Sequence, residues 1–251
     1  MKPLATLVAL VALVLAPGPA AADDMRFLED DYRSPQNFAF ELRLGPYYPA
    51  VDDELATAEP FRETFGDNSR LRIGLEFDWQ FLSTPVGSLG VGVAAGLMRF
   101  VGNSRFEGSG ERSSEETTLN VFPIVASVVA RLDFAMREWQ VPLVLYGKAG
   151  VADYLWFVED GSGKAHADGP SGRPDAVIGQ EDTFGVELAS GIAFLLDFLE
   201  PGAARKLDAD SGVNHSYLFL EVLVASIDGL GERDVMIFSD TTWNTGLLLE
   251  F

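Results

Sequence analysis

Residues 70–82 read as a strand that alternates without a break as far as Phe81. Leu71, Ile73, Leu75, Phe77, Trp79 and Phe81 fall on one side, and Arg70, Arg72, Gly74, Glu76, Asp78 and Gln80 on the other. A period of two belongs to a strand with unlike faces; a helix would scatter both sets around its axis. Slipping this strand by one residue would exchange the two faces completely, so its register is strongly specified. The pattern returns in residues 37–45, 89–101, 117–134, 142–157, 183–198, 216–227 and 241–251. In the first of these, Phe38, Phe40, Leu42 and Leu44 oppose Ala39, Glu41 and Arg43. In the last, Trp243, Thr245, Leu247, Leu249 and Phe251 oppose Thr242, Asn244, Gly246 and Glu250, with Leu248 the one apolar residue on the polar side.

Alternation alone fits two architectures. A secreted β-sandwich would place the apolar set in its core and the charges in water. A transmembrane barrel inverts this, with apolar residues toward lipid and polar ones toward the lumen. Two further patterns favour the barrel. Eight strands put both chain ends on one side, so loops after odd strands should be long and those after even strands short. Residues 46–69, 102–116, 159–182 and 228–240 are long and polar, whereas residues 83–88 and 135–141 are short. Residues 199–215, LEPGAARKLDADSGVNH, break the rule, and the piece around 203–207 is expected to form one or two helical turns. Aromatic residues are the second pattern, since Trp and Tyr should band near the two membrane surfaces. Tyr47, Tyr48, Tyr154, Trp156, Phe157 and Trp243 fall at outer ends, and Trp79, Phe81, Trp139, Phe198, Tyr217 and Phe251 at inner ends. The expected fold is therefore all-β: one eight-stranded antiparallel up-and-down transmembrane β-barrel over residues 37–251.

The opening residues set the compartment. Lys2, the apolar run of residues 4–15, the breakers Pro17, Gly18 and Pro19, and Ala20-Ala21-Ala22 before Asp23 form a secretory signal peptide over residues 1–22. The run is too short for a spanning helix, which needs about 20 apolar residues. Residues 23–36 are read as a periplasmic tail. The formal charge of −20 argues against a nucleic-acid partner, because phosphate binding needs a basic face. The absence of cysteine removes disulfides, thiolate metal sites and Cys nucleophiles.

With these residues in place, the chain resembles the small bacterial outer-membrane β-barrels, of the Gram-negative cell envelope. More narrowly it resembles a family of predicted barrels found mainly in myxobacteria and relatives. The closing strand ending in Phe251 and the piece from Leu199 through Asn214-His215-Ser216-Tyr217-Leu218-Phe219 carry the resemblance. It implies an outer-membrane location, contact with outer-membrane lipid and lipopolysaccharide, and recognition of the terminal aromatic strand by the barrel-assembly machinery. It implies no activity.

The remaining question is chemistry. Glu41, Arg43, Arg72, Glu76, Asp78, Arg131, Asp133, Lys148, Glu187, Asp197, Glu221 and Glu250 should point inward. An eight-stranded interior is just wide enough for side chains to fill, so a closed network of ion pairs is expected over the alternative, a narrow passage for a small or hydrophobic molecule. A lipid-modifying enzyme would need a clustered His, Ser and acid. Of the two histidines, His166 lies near Asp168 in a Gly-rich loop. His215 is adjacent to Ser216, which places the two on opposite faces of a strand. The run Gly90-Val-Gly92-Val-Ala-Ala-Gly96 lacks the spacing and the following helix of a nucleotide loop. Its small inward residues instead leave room for Arg and aromatic side chains. The outer loops are acidic: Asp52, Asp53, Glu54, Glu59, Glu63 and Asp67 meet only Arg62, and Glu115-Glu116 and Glu181-Asp182 add charge. Divalent bridging to lipopolysaccharide is conceivable, but the spacing of a defined calcium loop is absent. Arg205 and Lys206 could meet something acidic in the periplasm. No catalytic, cofactor-binding or metal residue is assigned, and the expected role is a non-enzymatic envelope or surface one.

Overall fold

The computed structural model describes residues 37–54, 58–105, 112–160, 163–167, 177–232 and 235–251. The expected signal peptide and tail, and Asp168, lie outside these residues. Eight long strands carry the fold: β1 (Phe38–Tyr47), β2 (Arg70–Ser83), β3 (Ser88–Arg105), β4 (Arg112–Leu132), β5 (Leu143–Asp160), β6 (Gln180–Leu195), β7 (His215–Ser226) and β8 (Asp240–Glu250). Each pairs antiparallel with its sequence neighbour, and β8 pairs with β1. Leu42 lies opposite Leu75 on one side and Leu247 on the other. The ring is closed, which leaves no edge strand with unpaired backbone groups.

The strand phases match the alternation. Leu71, Phe77, Val93, Val151 and Leu220 stand exposed on the wall, while Glu41, Asp78 and Glu221 are fully buried inside. In water this polarity would be inverted; in a bilayer it is the stable one, because the wall meets hydrocarbon and the closed ring pairs each strand on both sides. No helix among the described residues is long and apolar enough to cross a membrane.

Several boundaries differ from expectation, among them the sixth strand, which runs Gln180–Leu195 rather than over residues 183–198. The fourth strand ends at Leu132, and residues Phe134–Trp139 form a short helix, α2, that tucks Met136 inward. The connection at residues 199–215 holds an 11-residue helix, α3 (Pro201–Ser211), longer than the one or two turns expected. Pro201 suits its first turn, and Gly212 at φ 73° ends it in the left-handed region open to glycine. A third helix, α1 (Pro60–Phe65), lies in the first outer loop. The loop between β5 and β6 carries two-residue strands, among them His166–Ala167 pairing with Val177–Ile178.

The aromatic bands are only half as expected. Trp79, Trp139, Phe198 and Trp243 stand exposed on the wall side at the barrel ends. Tyr47, Tyr154 and Tyr217 are instead buried in the lumen. Their strand parity points them inward, and each hydroxyl finds a partner there, which a buried tyrosine requires.

Candidate functional site

The lumen is built in three layers, with a charged belt at mid-height. Arg131 donates to Glu41 at 3.1 Å and to Asp78, and Lys148 lies 2.6 Å from Glu41 and 3.0 Å from Glu76. Arg43 donates to Glu76 at 2.7 Å and to Glu221. Nearer the outer end, Arg72 donates to Glu187 and to the Tyr154 hydroxyl, both at 2.9 Å, and Tyr154 donates to Glu187. Cations from β1, β2, β4 and β5 thus cross the lumen to acids on other strands.

Six carboxylates, Glu41, Glu76, Asp78, Glu187, Glu221 and Glu250, share the lumen with four cations, Arg43, Arg72, Arg131 and Lys148. Neutral donors make up the difference. Glu221 accepts from the Tyr146 hydroxyl at 3.1 Å and Asn244 at 2.9 Å; Glu250 accepts from Gln80 at 3.0 Å and the Tyr217 hydroxyl at 2.8 Å. Taking such charges out of water is costly. A buried network is stable only when its members hold one another, and removing one partner typically costs about 3–5 kcal/mol. Glu41, Glu76 and Asp78 offer three oxygens within 4.8 Å of one another, a spacing that could suit a metal ion. Arg43, Arg131 and Lys148 already occupy that position as the counter-charges, so the geometry is that of an ion-pair network.

Small inward residues make the belt possible. A Cβ on Gly92 would lie 2.2 Å from the Asp78 Oδ1, and one on Gly191 2.7 Å from the Tyr146 ring. The expectation for the Gly90–Gly96 run holds in kind but not in occupant: at Gly92 the space is taken by an acid rather than by an arginine.

Apolar layers close the belt above and below. At the outer end, Phe61 of α1 and Phe238 of the last loop pack with Tyr47, Met98, Phe100 and Ile227. The Asp52 carboxylate accepts from the Phe61 and Arg62 N–H groups at 2.9 Å each, tying down the start of α1. The helix sits so close to β3 that a Cβ on Gly102 would be 2.0 Å from the Thr64 carbonyl oxygen. Tyr47 donates from its hydroxyl to the Phe238 carbonyl at 2.6 Å, and the Ala50 N–H to the Ser239 carbonyl at 3.0 Å. First and last outer loops are thereby stitched together across the mouth. At the inner end, Met136, Tyr146, Leu195, Tyr217, Phe219 and Leu248 form the second layer.

A hollow beside Arg43, Arg72 and Val125 measures about 10 Å³, space for roughly one water. A far larger one, about 610 Å³, lies on the outer wall along Trp79, Val93, Ala126, Ala149 and Val151, where small residues thin the apolar surface.

The charged residues expected inside are there, with two qualifications. Asp133 sits at the inner rim, paired with Arg137 at 2.5 Å. Asp197 stands beyond the end of β6, in the turn. Its Oδ2 lies 2.7 Å from His215 Nδ1, and its Oδ1 accepts from the Ser216 hydroxyl at 3.0 Å. Burial raises the Asp197 carboxyl, but the hydrogen bonds from His215 and Ser216 prevail and hold it below the usual carboxylate range. His215 and Ser216 do leave the strand on opposite faces, yet both reach this one acid. Ser216 is bonded to the acid and not to the imidazole, so the trio lacks the nucleophile–base–acid order of a hydrolase. Sequence reasoning missed Phe61 and Phe238, which sit in polar loops with no periodicity to mark them. It also missed Gln80, Tyr146, Tyr154, Tyr217 and Asn244 as network donors, although the alternation already set Gln80 and Asn244 on the polar face.

No protein family and no curated protein matches the chain. Solved structures that it is similar to include the outer membrane protein OprG from Pseudomonas aeruginosa, at 12% identity and TM-score 0.48, covering 87% of this chain and 97% of that one. Neisserial surface protein A (NspA) aligns at 11% identity and TM-score 0.46, over 86% and 97%. Ail, the attachment invasion locus protein of Yersinia pestis, solved with the heparin analogue sucrose octasulfate, aligns at 11% identity and TM-score 0.42, over 86% and 97%.

Proposed function

We propose that the chain is an integral outer-membrane protein that does not conduct, and that its role is non-enzymatic and carried by its outer loops. The observation behind this is the three-layered lumen: a cross-linked ionic belt with an apolar layer on each side favours an interior filled by side chains over a water path. Export would use residues 1–22 as a signal peptide, and insertion the barrel-assembly machinery, as in the myxobacterial-type barrels that the sequence resembles. Asp53 and Glu59 are exposed on the first outer loop, and Glu115 and Glu116 at the outer end of β4, and they give the outer surface its acidic character. Lipid and lipopolysaccharide are the expected surroundings of the wall.

The test is electrical and structural together. The refolded chain should migrate differently when boiled and unboiled in detergent electrophoresis, and should insert into planar bilayers without single-channel steps. Large, stable openings would replace this reading with the passage of small molecules. Shortening the outer loops in cells should then abolish a surface phenotype while leaving the heat-modifiable barrel intact.

A further inference from the structure

The last outer loop makes two opposite moves. Phe238 turns into the mouth and is 0% exposed, whereas Leu230 turns away and is 70% exposed. Leu230 is held there by unusual backbone. Gly229, Leu230 and Gly231 have φ of 68°, 56° and 90°, three left-handed residues in a row. Glycine adopts this freely, but leucine rarely does, and such conformations persist only where their surroundings enforce them. Here the Asp228 carboxylate accepts from the Leu230 N–H at 3.1 Å. The knuckle therefore holds a bulky apolar side chain in a conformation that disfavours it, and holds it facing outward.

Its location narrows the occupant. The chain folds closely over the outer end of β6, where a Cβ on Gly185 would lie 2.1 Å from the Ser226 carbonyl oxygen. The knuckle packs against that same strand. The wall face of β6 carries Phe184, Val186 and Leu188, all exposed. Leu230 is the only apolar side chain of residues 228–232, with Asp228 and Glu232 beside it. A lone leucine between acids is too small to nucleate a protein interface, which needs a contiguous apolar centre. It is enough to set the depth of a loop at a hydrocarbon boundary, with the acids left in the headgroup layer.

We propose that Leu230 is a membrane-interface anchor. It enters the outermost acyl region at the outer end of β6 and pins the last loop to the rim, continuing the lipid-facing wall past the end of the strands. The assignment rests on the membrane reading above, and the experiment separates the two. Because the chain has no cysteine, single labels can be introduced cleanly. Leu230→Cys, Leu188→Cys and Asp53→Cys would each carry a nitroxide in barrel reconstituted into phosphatidylcholine vesicles, with collision rates measured against oxygen, which favours lipid, and a water-soluble nickel chelate. The expected ratio of oxygen to nickel collisions is several-fold higher at Leu230 than at Asp53, approaching that at Leu188. A ratio at Leu230 equal to that at Asp53, with Leu188 still lipid-like, overturns the anchor and leaves the barrel reading standing. A nickel-accessible Leu188 would overturn both. Heat-modifiable migration of each labelled protein confirms that it is folded.

Discussion

The two ends of the lumen are closed by different means. The inner plug is made almost entirely by strand residues, Tyr146, Leu195, Tyr217, Phe219 and Leu248, with Met136 added by a short turn. The outer plug also rests on strand residues, Tyr47, Met98, Phe100 and Leu119 among them, but it is completed by loops: Phe61 arrives on α1 and Phe238 on the last connection, far from each other in sequence. A plug borne on strands shares the stability of the barrel. One borne on loops can open without the barrel, since local openings draw on the contacts of one segment alone. The inner end is thus part of the wall's own cooperativity, and at the outer end only the loop-borne cap of Phe61 and Phe238 is expected to open apart from it.

The largest effect should come from Phe238→Ala. Removing a buried phenylalanine costs about 3 kcal/mol at the lower end of the usual range. The loss should fall on the outer plug, seen as faster tryptic cleavage at Arg62 with little change in the global urea midpoint. A fall in that midpoint equal to the local loss would erase the distinction between the two ends. Tyr217→Phe should do the reverse. It removes a buried hydrogen bond to the Glu250 carboxylate, worth about 2 kcal/mol, and should lower the global midpoint while leaving cleavage at Arg62 unchanged. The smallest effect belongs to Asp197, in the inner turn. Its carboxyl titrates lower folded than unfolded, so its contribution is complete above the unfolded value near 3.9 and is lost as pH falls through the lower folded value. Thermal scans from pH 6 to pH 2 should show an acid-side fall that is shallower in Asp197→Asn. Identical profiles would mean that the Asp197–His215–Ser216 cluster does not support the inner end.

This contrast also marks what the sequence made legible. Period-two alternation placed Arg72, Glu76 and Asp78 inside and Leu71, Leu75 and Phe77 outside, because parity is a local property that barrel closure leaves unchanged. The same rule held Glu41, Lys148 and Glu221 in the belt. Which acid meets which base was not legible: Arg43 reaches Glu221 across 178 residues of sequence, and nothing local encodes that pairing. Phe61 and Phe238 were invisible for a related reason. Their burial depends on two loops meeting over the mouth, not on any repeat within either loop. The tyrosines misled because Tyr at a strand end suits both a membrane surface and a polar lumen, and only the direction of the side chain separates the two.

The seam between β1 and β8 has a consequence in time rather than in space. Ala39 pairs with Glu250, and the Phe251 backbone bonds back to Asn37 and Phe38. The first described strand therefore cannot find its second neighbour until nearly the whole chain has been made. Pairings so distant in sequence are slow, because their loop-closure entropy is lost before any contact rewards it. Until closure, both seam strands expose unpaired backbone and an apolar face, a state prone to sticking to other chains. The barrel is in this sense a one-step device. A half-formed version of it would leave apolar faces and strand edges open, so closure of the seam is the step on which its fate in water or lipid turns.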